Sequence, residues 1–258
     1  MDGKLNNVIV KKDGKCLWII FNRPSKKNAI NFKMYDLILK ALDDGERDPE
    51  VMMTIFTGKG EYYSSGNDFS MNNLSMLHDN PELNDIFAKL VDKLINHSKL
   101  LIGLVNGPAI GIACTTLGLF DLVLASDKAY FYTPFTLLGL TPEGCSSYLM
   151  PQILGYQKAS QLLLFSDKLS AKEAYIGGLV SSIYKDDEFI EKCMKRIKGY
   201  EEKLCMDSVI TSKDMIRSRK MKDKLIAINN WEKDKLKEQM KKEECQEFLM
   251  KKFFKSKI

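Results

Sequence analysis

Three segments of the chain combine small, polar and acidic residues in patterns that could hold a reacting group. The first is GKGEYYSSGNDF, Gly58 to Phe69, where an apolar strand runs into small residues and then Gly66 between polar ones. Small side chains let a ligand approach the backbone amides, although a plain turn after a strand has the same composition. The second is LVNGPAIGIACTTLG, Leu104 to Gly118, in which a strand ends at a Gly-Pro turn and a helix begins near Gly111. The first amides of a helix lack internal partners and carry the positive end of its dipole, so they suit an anion or a developing oxyanion. Packing of a helix against a sheet would use the same glycines. No phosphate-binding loop is present, because neither Gly-Lys-Ser/Thr nor GxGxxG occurs there. The third is LGLTPEGCSSY, Leu138 to Tyr148, with Thr141 as the expected helix cap, Pro142 as the first helical residue and Glu143 in the first turn. An acid at that place can simply complement the dipole. Its neighbours Phe135, Leu138, Leu140 and Pro142 are apolar, however, and a carboxylate in such company gains proton affinity and can serve as a base near neutral pH.

Other chemistries find less support. Gly144-Cys145-Ser146 opens like a hydrolase elbow, but the closing Gly is missing. His78 and His97 have no motif linking either to a serine, so a triad is not expected. Six cysteines without a CxxC pair, and two histidines, do not read as a metal site or a disulfide framework, and a reducing compartment is expected. The formal charge is +5, and residues 185–258 carry +6 of balance while the first 184 sum to −1. Acids are interleaved throughout that basic tail, so it reads as a solvated helical face rather than a nucleic-acid surface.

Elements must position these segments. Val8–Val10 and Trp18–Phe21 flank Asp13-Gly14 as a hairpin. Asn31 can cap a helix over 32–44, with Met34, Leu37, Ile38, Ala41 and Leu42 at helical spacing. Strands are expected over 51–57, 100–105 and 122–125, and helices over 83–98, 111–119, 148–165 (broken) and 171–177. Leu100 to Ser126 holds one charge, Asp121, but Asn106-Gly107-Pro108 breaks it, which excludes a single spanning helix. Strands alternating with helices imply an α/β architecture. From about Phe189 the chain reads as wholly helical, and its amphipathic helices could close over a partner subunit. No secretory signal is expected, because residues 1–15 carry Asp2, Lys4, Lys11, Lys12, Asp13 and Lys15 without a long apolar run.

The order of segments resembles the crotonase (enoyl-CoA hydratase/isomerase) superfamily over nearly the whole chain. The carriers are FNRPSKKNAIN (21–31), YYSSGNDF (62–69), NGPAIGIACTTLGLFDLVLAS (106–126), LGLTPEGCSSYLMPQILG (138–155) and LSAKEAYIGGLVSSI (169–183). Within it the sequence looks most like the peroxisomal-type Δ3,Δ2-enoyl-CoA isomerases, which shift a 3-cis or 3-trans double bond to 2-trans in β-oxidation. The resemblance implies a spiral of ββα units over residues 1–195. A helical region over 196–258 would support a homotrimer or a dimer of trimers. It implies a fatty acyl-CoA thioester substrate, with CoA part of that substrate and no resident cofactor or metal. Ser64, Ser65, Gly66, Asn67 and Asp68 match the family's CoA- and thioester-contacting loop, and Lys26 and Lys27 match the segment that approaches the nucleotide.

The oxyanion-hole amides map to Asn67 and Ile112. The two hydratase glutamates map to Thr115 and Phe135, which cannot activate water, whereas the isomerase position is Glu143. Glu143 is therefore the expected single acid/base. The alternatives are a non-catalytic acyl-CoA-binding module or another CoA-thioester enzyme of this family. Acyl selectivity is expected from residues within Met71–Phe87. No acyl-CoA-binding domain is expected before the core, which begins within ten residues of Met1. The C-terminal Ser256-Lys257-Ile258 resembles the S-K-L address, so a peroxisomal location and contact with the import receptor are expected.

Overall fold

The computed structural model describes residues 7–70 and 85–253. Of the expected features, residues 71–84, which include His78 and most of the segment expected to select the acyl chain, lie outside the described residues. So does Ser256-Lys257-Ile258.

Nine strands form two sheets among the described residues. The larger has the order β1 (Val8–Asp13), β2 (Cys16–Phe21), β3 (Met53–Gly58), β4 (Leu100–Val105), β6 (Leu122–Ser126), β9 (Ser182–Tyr184). In this sheet the β1–β2 hairpin is antiparallel and every other pair is parallel. Parallel strands must be covered on both faces, and β3 is accordingly buried along nearly its whole length. One face meets α1 (Phe32–Arg47) and α2 (Ile86–Asn96). The other, built on Trp18, Met53, Ile55, Ile102 and Leu124, meets α7 (Phe189–Lys203) through Phe189, Cys193 and Ile197. Residue 195 thus falls inside a helix that belongs to the core.

The helix starts follow local chemistry. Asn31 accepts the Met34 N–H at 3.0 Å and caps α1, whose buried stripe includes Met34, Ile38 and Leu42. Full burial of each such side chain is worth about 1.5–3 kcal/mol. The helix stops before Pro49, which disfavours helical backbone at Asp48. The apolar run 100–126 resolves into β4, β5 (Ala109–Ile110), α3 (Ile112–Thr115) with a 3-10 turn to Leu119, and β6. Among the described residues no helix is long and apolar enough to cross a membrane.

A small sheet of β5, β7 (Tyr130–Tyr132) and β8 (Leu169–Ser170) was not legible in the sequence, because its strands have two or three residues. The expected broken helix appears as α4 (Ser146–Leu154) and α5 (Tyr156–Leu163), parted at Gly155. After α6 (Ala171–Ile176) and α7 come α8 (Met206–Ile216), α9 (Arg219–Met240) and α10 (Glu243–Phe253). The expectation that Thr141 caps a helix containing Glu143 is corrected. The helix begins at Ser146, its N-cap is Cys145, and residues 141–143 are irregular. Two successive left-handed residues, Gly144 and Cys145, delay the start.

The loops that follow β2 and β3 are stapled to each other at the carboxyl ends of the strands. Asn28 is the staple. Its Oδ1 accepts the Arg23 N–H at 2.9 Å, and its Nδ2 donates to the carbonyls of Lys59 and Tyr62 at 3.0 and 2.7 Å. The side chain is wholly buried. Asn28→Ala leaves these backbone groups unpaired and should lower stability by about 2–3 kcal/mol, read as a reduced denaturation midpoint at unchanged slope. Asn28→Asp should be worse, because a carboxylate would then face carbonyl oxygens.

Candidate active site

A cavity of about 580 Å³ opens where the loops after β3 and β4 meet, which is where parallel sheets usually place ligands. Its wall combines Ser65–Ser70, Ile110–Ile112 and the segment from Pro134 to Glu143. Phe87 of α2 and Leu236 and Met240 of α9 complete it. Of the helices expected to close over a partner subunit, α9 folds over the cavity of its own chain.

Two glycines bring two backbone donors together. Gly66 has φ 82°, and a Cβ there would stand 2.6 Å from the Ile110 carbonyl oxygen. Gly111 has φ 59° and lies against Gly66. Only glycine permits this approach. Asn67 and Ile112 follow these residues directly, and among the described residues neither backbone N–H has an acceptor. The Ile112 N–H is the first of α3, where the helix dipole is positive. Single bridges hold the loop in register on both sides, from Asn67 to Ile30 before α1 and from Ser64 to Ala109 of β5.

The side chains of the loop do different work. Ser64 is wholly buried; its hydroxyl donates to the Asn28 carbonyl at 2.8 Å and accepts the Gly66 N–H at 3.1 Å, so it shapes the loop and does not face the cavity. Ser65, Gly66, Asn67 and Asp68 do line it. Burial alone would raise the Asp68 carboxyl, but Arg23 at 2.9 Å and the Ser70 amide hold it below the usual range. The Asn67 side chain is fixed by the Tyr35 hydroxyl, which donates to its Oδ1 at 2.5 Å. Lys26 and Lys27 are exposed outside the wall. The Lys27 carbonyl accepts the Ser65 N–H, and its ammonium stands 5.2 Å from the Tyr62 ring centroid.

Glu143 faces this cavity among Phe135, Leu138, Leu140 and Ile112 and is only 8% exposed. Burial, then the nearby charge of Glu232, push its carboxyl up to about 8. Tyr35 is raised well above its usual value by burial and by Glu143. The two positions that the family resemblance matched to hydratase acids, Thr115 and Phe135, hold no carboxylate. Thr115 is buried with its hydroxyl on the Ile112 carbonyl, and Phe135 is part of the apolar wall.

His97 contacts Thr54 at 3.0 Å and Glu46 at 2.9 Å, a serine-protease-like string. Thr54 is wholly buried in β3 and His97 nearly so, so no substrate reaches them. Among the described residues no group of three His, Cys, Asp or Glu could hold a metal ion.

Residues 11–256 match the family model for enoyl-CoA hydratase/isomerase. The chain belongs to that family. Enoyl-CoA delta isomerase 2 of Rattus norvegicus is 43% identical over 250 residues, covering 95% of this chain and 63% of its own. The present chain thus spans less than two thirds of that relative. The peroxisomal enoyl-CoA delta isomerase 3 of Mus musculus is 42% identical over 92% of this chain and 75% of its own. Among solved structures, an enoyl-CoA hydratase/isomerase from Pseudoalteromonas atlantica T6c superposes with a TM-score of 0.86 at 30% identity, covering 95% of both chains. The sheet and helices described above are this family's crotonase fold.

Two contributors to the family site were missed in the sequence: the Tyr35 hydroxyl and the α9 face. The signal for α9 was available. Leu225, Asn229, Glu232 and Leu236 repeat at helical spacing, which places two polar residues on an inward stripe.

Because the Glu143 carboxyl is raised in the folded chain, its contribution to stability is present below about pH 4.5 and is lost as pH rises through about 8. Glu143→Gln should therefore melt higher than wild type above pH 8, by roughly 5–10 °C. The advantage should shrink steadily toward pH 5 in a calorimetric series.

Proposed function

We propose that this chain is a Δ3,Δ2-enoyl-CoA isomerase in which Glu143 is the only acid/base. The observation that carries the reading is a buried carboxyl of raised proton affinity, set in an apolar cavity whose wall also holds two backbone N–H groups without acceptors among the described residues. The names of the rat and mouse relatives support the same reaction.

A 3-enoyl thioester is acidic at C2, between the carbonyl and the alkene. In the proposed reaction ionised Glu143 takes a C2 proton, and the electron pair moves into a dienolate whose charge rests on the thioester oxygen. The amides of Asn67 and Ile112 donate to that oxygen, and losing one such donor typically costs about 3–4 kcal/mol. Glu143 then returns the proton to C4, leaving the double bond between C2 and C3. No water is consumed, so one acid suffices. The apolar wall disfavours hydration, and Thr115 and Phe135 offer no second carboxylate to activate water.

The substrate class is a fatty acyl-CoA thioester, with Ser65 to Asp68 at the thioester end and Lys26 and Lys27 toward the phosphates. Leu236 and Met240 suit the acyl chain. A homotrimer or dimer of trimers agrees with exposed apolar side chains such as Phe165, Ile176 and Ile216. The peroxisomal mouse relative supports a place in the same compartment. The carboxyl retained at Glu143 favours catalysis over a binding-only role.

The test is turnover of 3-hexenoyl-CoA in an assay coupled to hydratase and dehydrogenase. Wild type should turn over, and Glu143→Gln should lose roughly 10²–10⁴ in kcat while still binding CoA esters. Full activity in the variant would remove Glu143 from the mechanism. Ester binding without turnover in wild type would favour the binding module. Since the base must start ionised, kcat/KM should fall about tenfold per pH unit below the Glu143 value near 8.

A further inference from the structure

The two residues after Glu143 both have left-handed backbone, Gly144 at φ 72° and Cys145 at φ 61°. A residue with a Cβ resists that conformation and keeps it only where its surroundings hold it. What holds Cys145 comes from α9. Glu232 accepts the Cys145 N–H on Oε2 at 2.7 Å and the Ser147 N–H on Oε1 at 2.8 Å. These are donors that the start of α4 would otherwise leave unpaired. The Cys145 thiol adds a bond to the Leu225 carbonyl, on the same helix, at 3.3 Å.

A helix cap alone does not account for this arrangement. A Ser or Asp at position 145 would cap α4 locally, without burying a distant acid. Glu232 is only 2% exposed, and burial raises its carboxyl despite the opposing hydrogen bonds from Ser147 and Cys145. A second cavity of about 70 Å³ is lined by Glu232, Gly144 and Glu143, so the two carboxyls share one small space.

We propose that Glu232 is a positioning residue for Glu143: it pins the turn that aims Glu143 into the active cavity and sets a fixed negative charge across the smaller cavity from it. The inference rests on the reading of Glu143 as proton carrier. The other charged and titratable groups around the two cavities have partners of their own. Tyr35 of α1 donates to Asn67. Asp68 is paired with Arg23. Lys237 of α9 is paired with Asp85 at 2.5 Å, and Lys233 donates to Asn230. Asp92 of α2 accepts from Asn229. Glu232 is thus the acid that shares the smaller cavity with Glu143.

The test uses the full chain and two variants, Glu232→Gln and Glu232→Asp. Glu143 is followed by carboxyl ¹³C NMR, its signal assigned by its loss in Glu143→Gln. Glu232→Gln removes the charge, so the Glu143 titration should move to lower pH, and the acid limb of kcat should follow. Misplacing the carboxyl should also lower kcat about tenfold or more, with KM for 3-hexenoyl-CoA nearly unchanged. Glu232→Asp keeps the charge and shortens the reach, so kcat should fall while the titration stays in place. A merely structural role predicts lower melting temperatures with the Glu143 titration and kcat unmoved, and that result overturns the proposal. If Glu232→Gln fails to fold, folded Glu232→Asp with wild-type kcat also overturns it. If wild type turns over no enoyl thioester, the isomerase reading fails, and the titration still decides whether Glu232 acts on Glu143.

Discussion

A carboxylate that must lose water to enter an apolar cavity opposes folding, and the site is organised around that cost. Glu143 is held there by backbone on both sides of it. Before it, the chain follows the wall from Pro134 to Thr141. After it, two left-handed residues turn the chain sharply into α4. The same desolvation that costs stability raises proton affinity toward neutral pH, where a base can both take and return a proton. Stability and the proposed chemistry are thus opposed at one residue.

The counterpart in the proposed reaction is a pair of backbone amides, those of Asn67 and Ile112, in the wall of the same cavity. They are not a property of any side chain. They arise because Gly66 and Gly111 let two loops touch, and because the loops after β2, β3 and β4 are tied by Asn28 and by the bridge from Ser64 to β5. Asn106 adds a further tie, accepting the Gly58 N–H at 3.0 Å and donating to the Gly60 carbonyl at 2.8 Å. The polar side chains Asn28, Ser64 and Asn106 of these segments serve the backbone, and the backbone in turn presents the donors.

Much of this was legible from the chain alone, for physical reasons. Long apolar strands and helices with a repeating stripe, such as Met53–Gly58 and Phe32–Arg47, announce themselves by period. Glu143 was legible because its sequence neighbours are apolar and remain its neighbours in space. The start of α4 was misplaced because Thr141 and Pro142 have the composition of a helix cap, while a tertiary contact from Glu232 decides the backbone. The three-stranded sheet was hidden because its strands are too short to show alternation. The α9 contribution was hidden by distance along the chain, though Asn229 and Glu232 on an otherwise apolar stripe were its trace.

The central claim is that a single carboxyl carries the proton from C2 to C4. The most direct measurement is the fate of label from 2,2-dideuterio-3-hexenoyl-CoA in ordinary water during the first turnovers. One shielded base predicts deuterium at C4 of the 2-trans product, because the buried Glu143 holds the abstracted deuteron out of bulk solvent. Product that carries only protium at C4 from the first turnover would contradict it, and would require a second proton donor or a base open to water.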